Sequence, residues 1–217
     1  MKKISRRSVI KWGLAGGVAG AAFRSGASKA LAVLLPTPDE IEGPFYPVRD
    51  QKDKDADLTQ IAGRRSVASG QHIVVSGEVR DIHGNPVTNA LLDIWQADAN
   101  GRYRHPRDPS KAKPDENFQG WAIIYTDDNG KFRFKTVLPG AYPASNEWTR
   151  PPHIHFKISK PGYRALTTQM YFPDQPLNAS DLLLNRKSKT EQAAMIAKRI
   201  GQQGNVVFYE YNVVLDI

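Results

Sequence analysis

The chain has 217 residues, 40% hydrophobic and 24% charged, which suits one domain with a proper core rather than a disordered segment. It contains no cysteine, which excludes disulfides, thiolate zinc sites, Cys-ligated iron–sulfur clusters and cysteine nucleophiles but leaves metals held by His, Tyr, Asp or Glu. The net charge of +8 suggests a nucleic-acid binder, yet seven of the 30 Lys and Arg lie in residues 1–32, where there is no Asp or Glu; the remaining 23 face 22 acidic residues, so no nucleic-acid partner is expected.

In chain order, residues 1–32 come first. A basic head precedes an apolar run, Trp12 to Phe23, which is too short and too rich in glycine for a comfortable membrane span. Ala30-Leu31-Ala32 fits an A-x-A cleavage site, and Ser5-Arg6-Arg7-Ser8-Val9-Ile10-Lys11 resembles a twin-arginine (Tat) export signal. The expectation is a signal peptide over 1–32, handled by the Tat translocase, and a periplasmic or cell-surface protein.

Residues 33–70 are rich in Pro, Asp and Lys without a sustained period, and are expected to form an extended arm. Residues 71–217 carry short alternating runs between turn signals. Strands are predicted over 72–81, 87–97, 121–127, 131–137, 153–159, 166–172 and 205–216, with a short helix from about 189. Asp128-Asn129-Gly130 between two of these runs predicts a hairpin. Together they predict a mainly β protein, a transthyretin-like or Ig-like antiparallel β-sandwich with long loops and one short late helix.

The sharpest chemical feature is Arg150-Pro151-Pro152-His153-Ile154-His155. In a strand, His153 and His155 project to one face and Ile154 to the other. Two adjacent imidazoles make a ready metal pair, although two ordinary strand histidines would read the same way. Tyr103 and Tyr142 sit in turn contexts after strands, where a single tyrosine is ordinarily a rim residue. Two phenolates with two neutral imidazoles suit a hard trivalent cation, so Fe(III) is favoured if both tyrosines bind.

Four stretches, 77–105, 118–143, 150–159 and 168–172, resemble the intradiol ring-cleavage dioxygenases, most nearly the iron-bearing chain of protocatechuate 3,4-dioxygenases. The resemblance implies a non-haem Fe(III) on Tyr103, Tyr142, His153 and His155. It implies that a catechol-type diol binds as a chelating dianion in place of Tyr142, and that O2 opens the ring between the hydroxyl-bearing carbons to give a muconate-type diacid. Arg150 matches the family's charge-stabilising arginine and Gln169 a residue behind the metal. Trp95 and, in the Glu42-Gly43-Pro44-Phe45-Tyr46 segment, Tyr46 match positions near the substrate pocket. Partners implied are a small aromatic diol and O2, with a homo-oligomer or a second related chain. Ala144 stands where protocatechuate enzymes usually carry a large aromatic, and the long helical N-terminal region of catechol and hydroxyquinol enzymes is lacking. Two other readings stay open: a non-catalytic transthyretin-like binding sandwich, and a zinc or copper enzyme using the His pair.

Overall fold

The computed structural model describes residues 33–217; the export signal read over 1–32 lies outside the described residues. The protein is a two-sheet β-sandwich. The first sheet is built on β1 (His72–Asp81), which pairs antiparallel with β4 (Lys131–Val137) on one edge. On its other edge, β10 (Val206–Glu210) and then β11 (Val213–Leu215) run parallel to it in succession, and β9 (Lys198–Gln203) closes the sheet against β10. The second sheet is wholly antiparallel, in the order β3 (Trp121–Tyr125), β2 (Leu91–Trp95), β7 (His153–Ser159), β8 (Leu166–Tyr171). A two-residue ribbon, β5 (Tyr142–Pro143) with β6 (Thr149–Arg150), stands apart from both.

The core lies between the sheets. Period-2 alternation aims Phe132 and Phe134 of β4 inward and Lys131 and Arg133 outward. Both phenylalanine rings meet Phe156 of β7, at 6.2 and 5.9 Å between centroids. Burying each of these rings contributes about 1.5–3 kcal/mol. The same alternation on β7 sends Ile154, Phe156 and Ile158 to the core, so His153 and His155 face the opposite way. The candidate centre is therefore on the outer face of the second sheet, and the loops bury it.

Residues 33–71 form no regular strand or helix, apart from one bridge from Asp57 to Lys135. The arm binds both sheets: Thr37 N–H donates to Val214 O, Glu40 N–H to Thr167 O and Leu58 N–H to Lys135 O.

Two expectations need correction. The predicted hairpin does not form, because β3 pairs with β2 while β4 crosses to β1. The turn itself is real: the Asp127 carboxylate accepts the N–H groups of Asn129 and Lys131, both at 2.8 Å. An Asn-Gly turn encodes a reversal, not a partner, and the two inward phenylalanines take β4 to the opposite sheet. The single closing strand is also two strands, split at Tyr211-Asn212. There Tyr211 N–H donates to Ser76 O, and Asn212 Oδ1 accepts Glu78 N–H at 3.0 Å.

The late helix, α1 (Lys189–Met195), starts on a capping box in which Ser188 and Glu191 serve each other's N–H groups. Strand β9, which the sequence does not predict, is exposed at all six residues and so carries no apolar alternation to read.

Candidate metal centre

His153 and His155 lie side by side on β7. His155 is flanked in register by Trp95 of β2 and Gln169 of β8, and His153 by Tyr171. The Trp95 ring lies flat on His155, 4.8 Å away and 10° from parallel. His153 Nδ1 is 2.7 Å from Pro151 O. A carbonyl can only accept, so Nδ1 carries the proton and Nε2 keeps its lone pair for the site.

Tyr103 enters from the loop after β2, where the Asp108 carboxylate accepts its N–H at 2.6 Å. Its Oη lies 3.2 Å from His155 Nε2 and 3.4 Å from His153 Nε2. Tyr142 arrives on β5. Its ring meets Tyr103 edge-on at 5.4 Å and lies 5.6 Å from His153, and in the ribbon Tyr142 is the register partner of Arg150.

The two tyrosine loops are pinned to each other through main chain. Gly140 N–H and Gly101 N–H both donate to Asp98 O, at 2.9 and 3.0 Å. A Cβ on Gly140 would fall 2.3 Å from Gly101 N and 2.6 Å from Ala99 O, and both neighbours are backbone atoms that cannot swing aside. Gly140→Ala is expected to cost about 1–3 kcal/mol of stability in denaturant titration, as overpacking does. An unchanged midpoint would refute the lock.

Arg150 is buried beside the tyrosines. Its Nε donates to Asp181 Oδ2 at 2.7 Å, and its Nη2 to Gln169 Oε1 at 2.7 Å and Tyr171 Oη at 2.8 Å. Gln169 is held from behind, because its Nε2 donates to Ile41 O of the arm at 2.9 Å.

Burial dominates the electrostatics. It pushes the Tyr103 phenol well above its ordinary value, and Tyr142 above its own although the nearby Arg150 pulls it down. Burial, then Arg150 and His155, hold His153 well below the usual imidazole range; burial and Arg150 hold His155 down to about 3. Both imidazoles are thus neutral and both phenols protonated near neutral pH.

The donor set fits a ferric ion. One Tyr103 proton faces two imidazole Nε2 atoms, so it can satisfy only one of two lone pairs there, and buried His155 Nδ1 has no hydrogen-bond partner either. A trivalent cation uses the imidazole lone pairs and acidifies the phenols. No carboxylate offers itself: among the described residues no group of three or more His, Cys, Asp and Glu gathers. His72 bonds Ala68 O, and His105 Nδ1 accepts Arg107 N–H while its buried Nε2 has no partner; neither histidine is hydrogen-bonded to the His pair. A zinc or copper site on the His pair therefore lacks a third His or carboxylate.

Trp95 belongs to the aromatic wall of the centre. Tyr46 packs edge-on against Trp95 and gives its hydroxyl to Asp93 at 2.6 Å, whereas Phe45 lies on Tyr103 and Tyr142, at 4.9 and 6.1 Å. A cleft of about 440 Å³ opens beside Tyr103 and Trp95, walled further by Phe45, Trp121 and His105. Sequence reasoning missed Phe45, Tyr171 and Asp181. Tyr171 was legible, being in phase with Gln169 on one strand. Asp181 lies in a stretch of leucines and asparagines with no readable pattern.

The family model described as Dioxygenase matches residues 41–217. The chain is similar to the protocatechuate 3,4-dioxygenase beta chain of Burkholderia cepacia, 39% identical over 179 residues, covering 79% of this chain and 76% of that one. It is 32% identical over 165 residues to the catechol 1,2-dioxygenase of Acinetobacter baylyi, covering 70% of this chain and only 51% of that one. Among solved structures, the dioxygenase domain of a dioxygenase–carbohydrate-binding protein fusion from Streptomyces sp. SirexAA-E superposes with a TM-score of 0.62 at 31% identity, covering 84% of this chain and 99% of that domain.

Proposed function

Because the chain belongs to the intradiol ring-cleavage dioxygenases, we propose that it holds ferric iron on Tyr103, Tyr142, His153 and His155. In this reading it cleaves a catechol-type aromatic diol between the two hydroxyl-bearing carbons, and both atoms of O2 enter a muconate-type diacid. One observation carries the proposal: buried Tyr103 Oη sits within 3.4 Å of both imidazole Nε2 atoms, with the Tyr142 ring edge-on to Tyr103 at 5.4 Å, and among the described residues no carboxylate gathers on the His pair. Ferric iron, when bound, supplies a centre that draws electron density from the chelated diol.

The chain's own groups do the rest. Tyr142 is the most exposed of the four at 9%, against 2–3% for the others, so it is the side from which a diol can arrive and the phenolate oxygen best placed to take one of its protons. Arg150 presents a fixed positive charge beside that oxygen, suited to stabilising negative charge that develops on the ring. Gln169, between the arm and Arg150, steadies the guanidinium. Phe45, Trp95 and the arm exclude water, and Tyr46 supports Trp95 from behind. By similarity to a chain named as a beta chain, the proposal extends to self-association or a second related chain; the signal read over 1–32 adds a periplasmic or cell-surface setting.

The test is a visible spectrum with metal analysis on the purified chain, before and after anaerobic addition of catechol. About one iron per chain and a broad tyrosinate band that shifts with the diol are expected. A chain that stays colourless after reconstitution with ferric iron overturns the proposal and leaves a binding sandwich.

A further inference from the structure

Asp181 has no hydrogen bond to the four side chains proposed as ligands, yet it fixes Arg150, the register partner of one of them, Tyr142. It is fully buried and lies 31 residues beyond Arg150, at the end of a short 3-10 turn, Pro176–Ser180. Oδ2 takes the Arg150 Nε proton at 2.7 Å; Oδ1 accepts from Leu184 N–H at 2.8 Å, Leu183 N–H at 3.1 Å and Tyr171 Oη at 3.3 Å. The carboxylate is therefore held rigidly by two main-chain donors and a phenol. It is the only carboxylate ion-paired with Arg150 among the described residues.

We infer that Asp181 is a positioning residue for the proposed reaction, a built-in counter-ion that aims the Arg150 guanidinium at Tyr142 and neutralises it as seen from the metal site. This rests on the ferric reading of the centre. Two physical arguments carry it. A guanidinium is a planar fork: with Nε fixed by Asp181 and Nη2 by Gln169 and Tyr171, the fork cannot rotate, and the edge toward Tyr142 is defined. Charge adds to this. A buried arginine without a partner would repel a trivalent ion held on these four residues, whereas the ion pair would present the site with a dipole instead. Arg150 then keeps its place beside Tyr142, its register partner, and loses most of its long-range repulsion.

The experiment compares wild type with Asp181→Asn, Asp181→Glu and Phe134→Leu. In the metal-free chain, 15N NMR of the arginine Nε–H groups is expected to show one slowly exchanging Arg150 resonance, lost in D181N, with the Tyr142 ring signals shifted. In the iron-loaded chain, D181N is expected to displace the tyrosinate band and lower kcat about 30-fold with KM changed less than about threefold, the scale of a misplaced catalytic group. D181E keeps the charge but moves it by one methylene, and should give intermediate values of both. F134L loosens the core between the sheets, away from the Asp181 segment, and should lower the unfolding midpoint while leaving band and kcat alone. D181N with wild-type Arg150 and Tyr142 resonances, or F134L reproducing the D181N band shift, overturns the inference. Should D181N not fold, D181E decides alone, and wild-type band and turnover in it overturn the inference. If wild type takes up no iron, the ferric reading has failed, and the metal-free resonances still decide whether Asp181 aims Arg150.

Discussion

Replacing His153 with Ala is expected to leave a folded chain that retains less than about a tenth of an iron atom, against about one in wild type. The imidazole is placed three ways at once: its strand sets the face, Pro151 O sets the tautomer, and its Nε2 lies beside Tyr103 Oη. Losing it removes one of only two neutral nitrogen donors, and no neighbouring carboxylate can substitute. Ile154 and Phe156 stay in the core, so the sandwich survives the change. His72→Ala is the control. That ring serves Ala68 O at the start of β1, and its loss should leave iron binding intact. Metal analysis by mass spectrometry decides, and stoichiometric iron in His153→Ala would remove His153 from the ligand set.

Tyr142→Phe is expected to lower turnover by about 100-fold or more, within the range for losing a group that moves a proton. The ring and its packing on Tyr103 and His153 remain, so the fold and most of the pocket are preserved. Only the oxygen beside Arg150 goes, and with it one phenolate charge and one acceptor for a diol proton. The visible band should weaken and move. Wild-type turnover in single-turnover kinetics would show that Tyr142 Oη takes no part.

The sandwich and the His pair were legible because both follow strict alternation. RPPHIHF places two imidazoles on one face by period alone, and KFRFKTV announces two inward phenylalanines. Tyr103 and Tyr142 were not legible that way. Their convergence depends on two loops separated by 39 residues meeting through glycine, a non-local fact that only resemblance to a family supplied. The misassigned hairpin has the same origin, since local turn chemistry does not say which sheet a strand will join. Asp181 was invisible because a lone buried carboxylate among leucines gains meaning only from the arginine it meets. In the arm, resemblance drew attention to Tyr46, while the fold brings the neighbouring Phe45 onto the tyrosine rings.

The abutting glycines also bear on how such a scaffold can diversify. Spacing between the two phenols is set by peptide groups in contact, not by the shapes of surrounding side chains. The turn from Ala144 to Trp148 follows Tyr142 at once and closes on itself, with Ala144 and Ser145 N–H both donating to Trp148 O. Its outer residues can be rewritten to suit a new aromatic partner without passing strain back to the phenols. Heritable variation, or a laboratory library, therefore has a tolerant window a few residues wide directly beside a site that admits almost none.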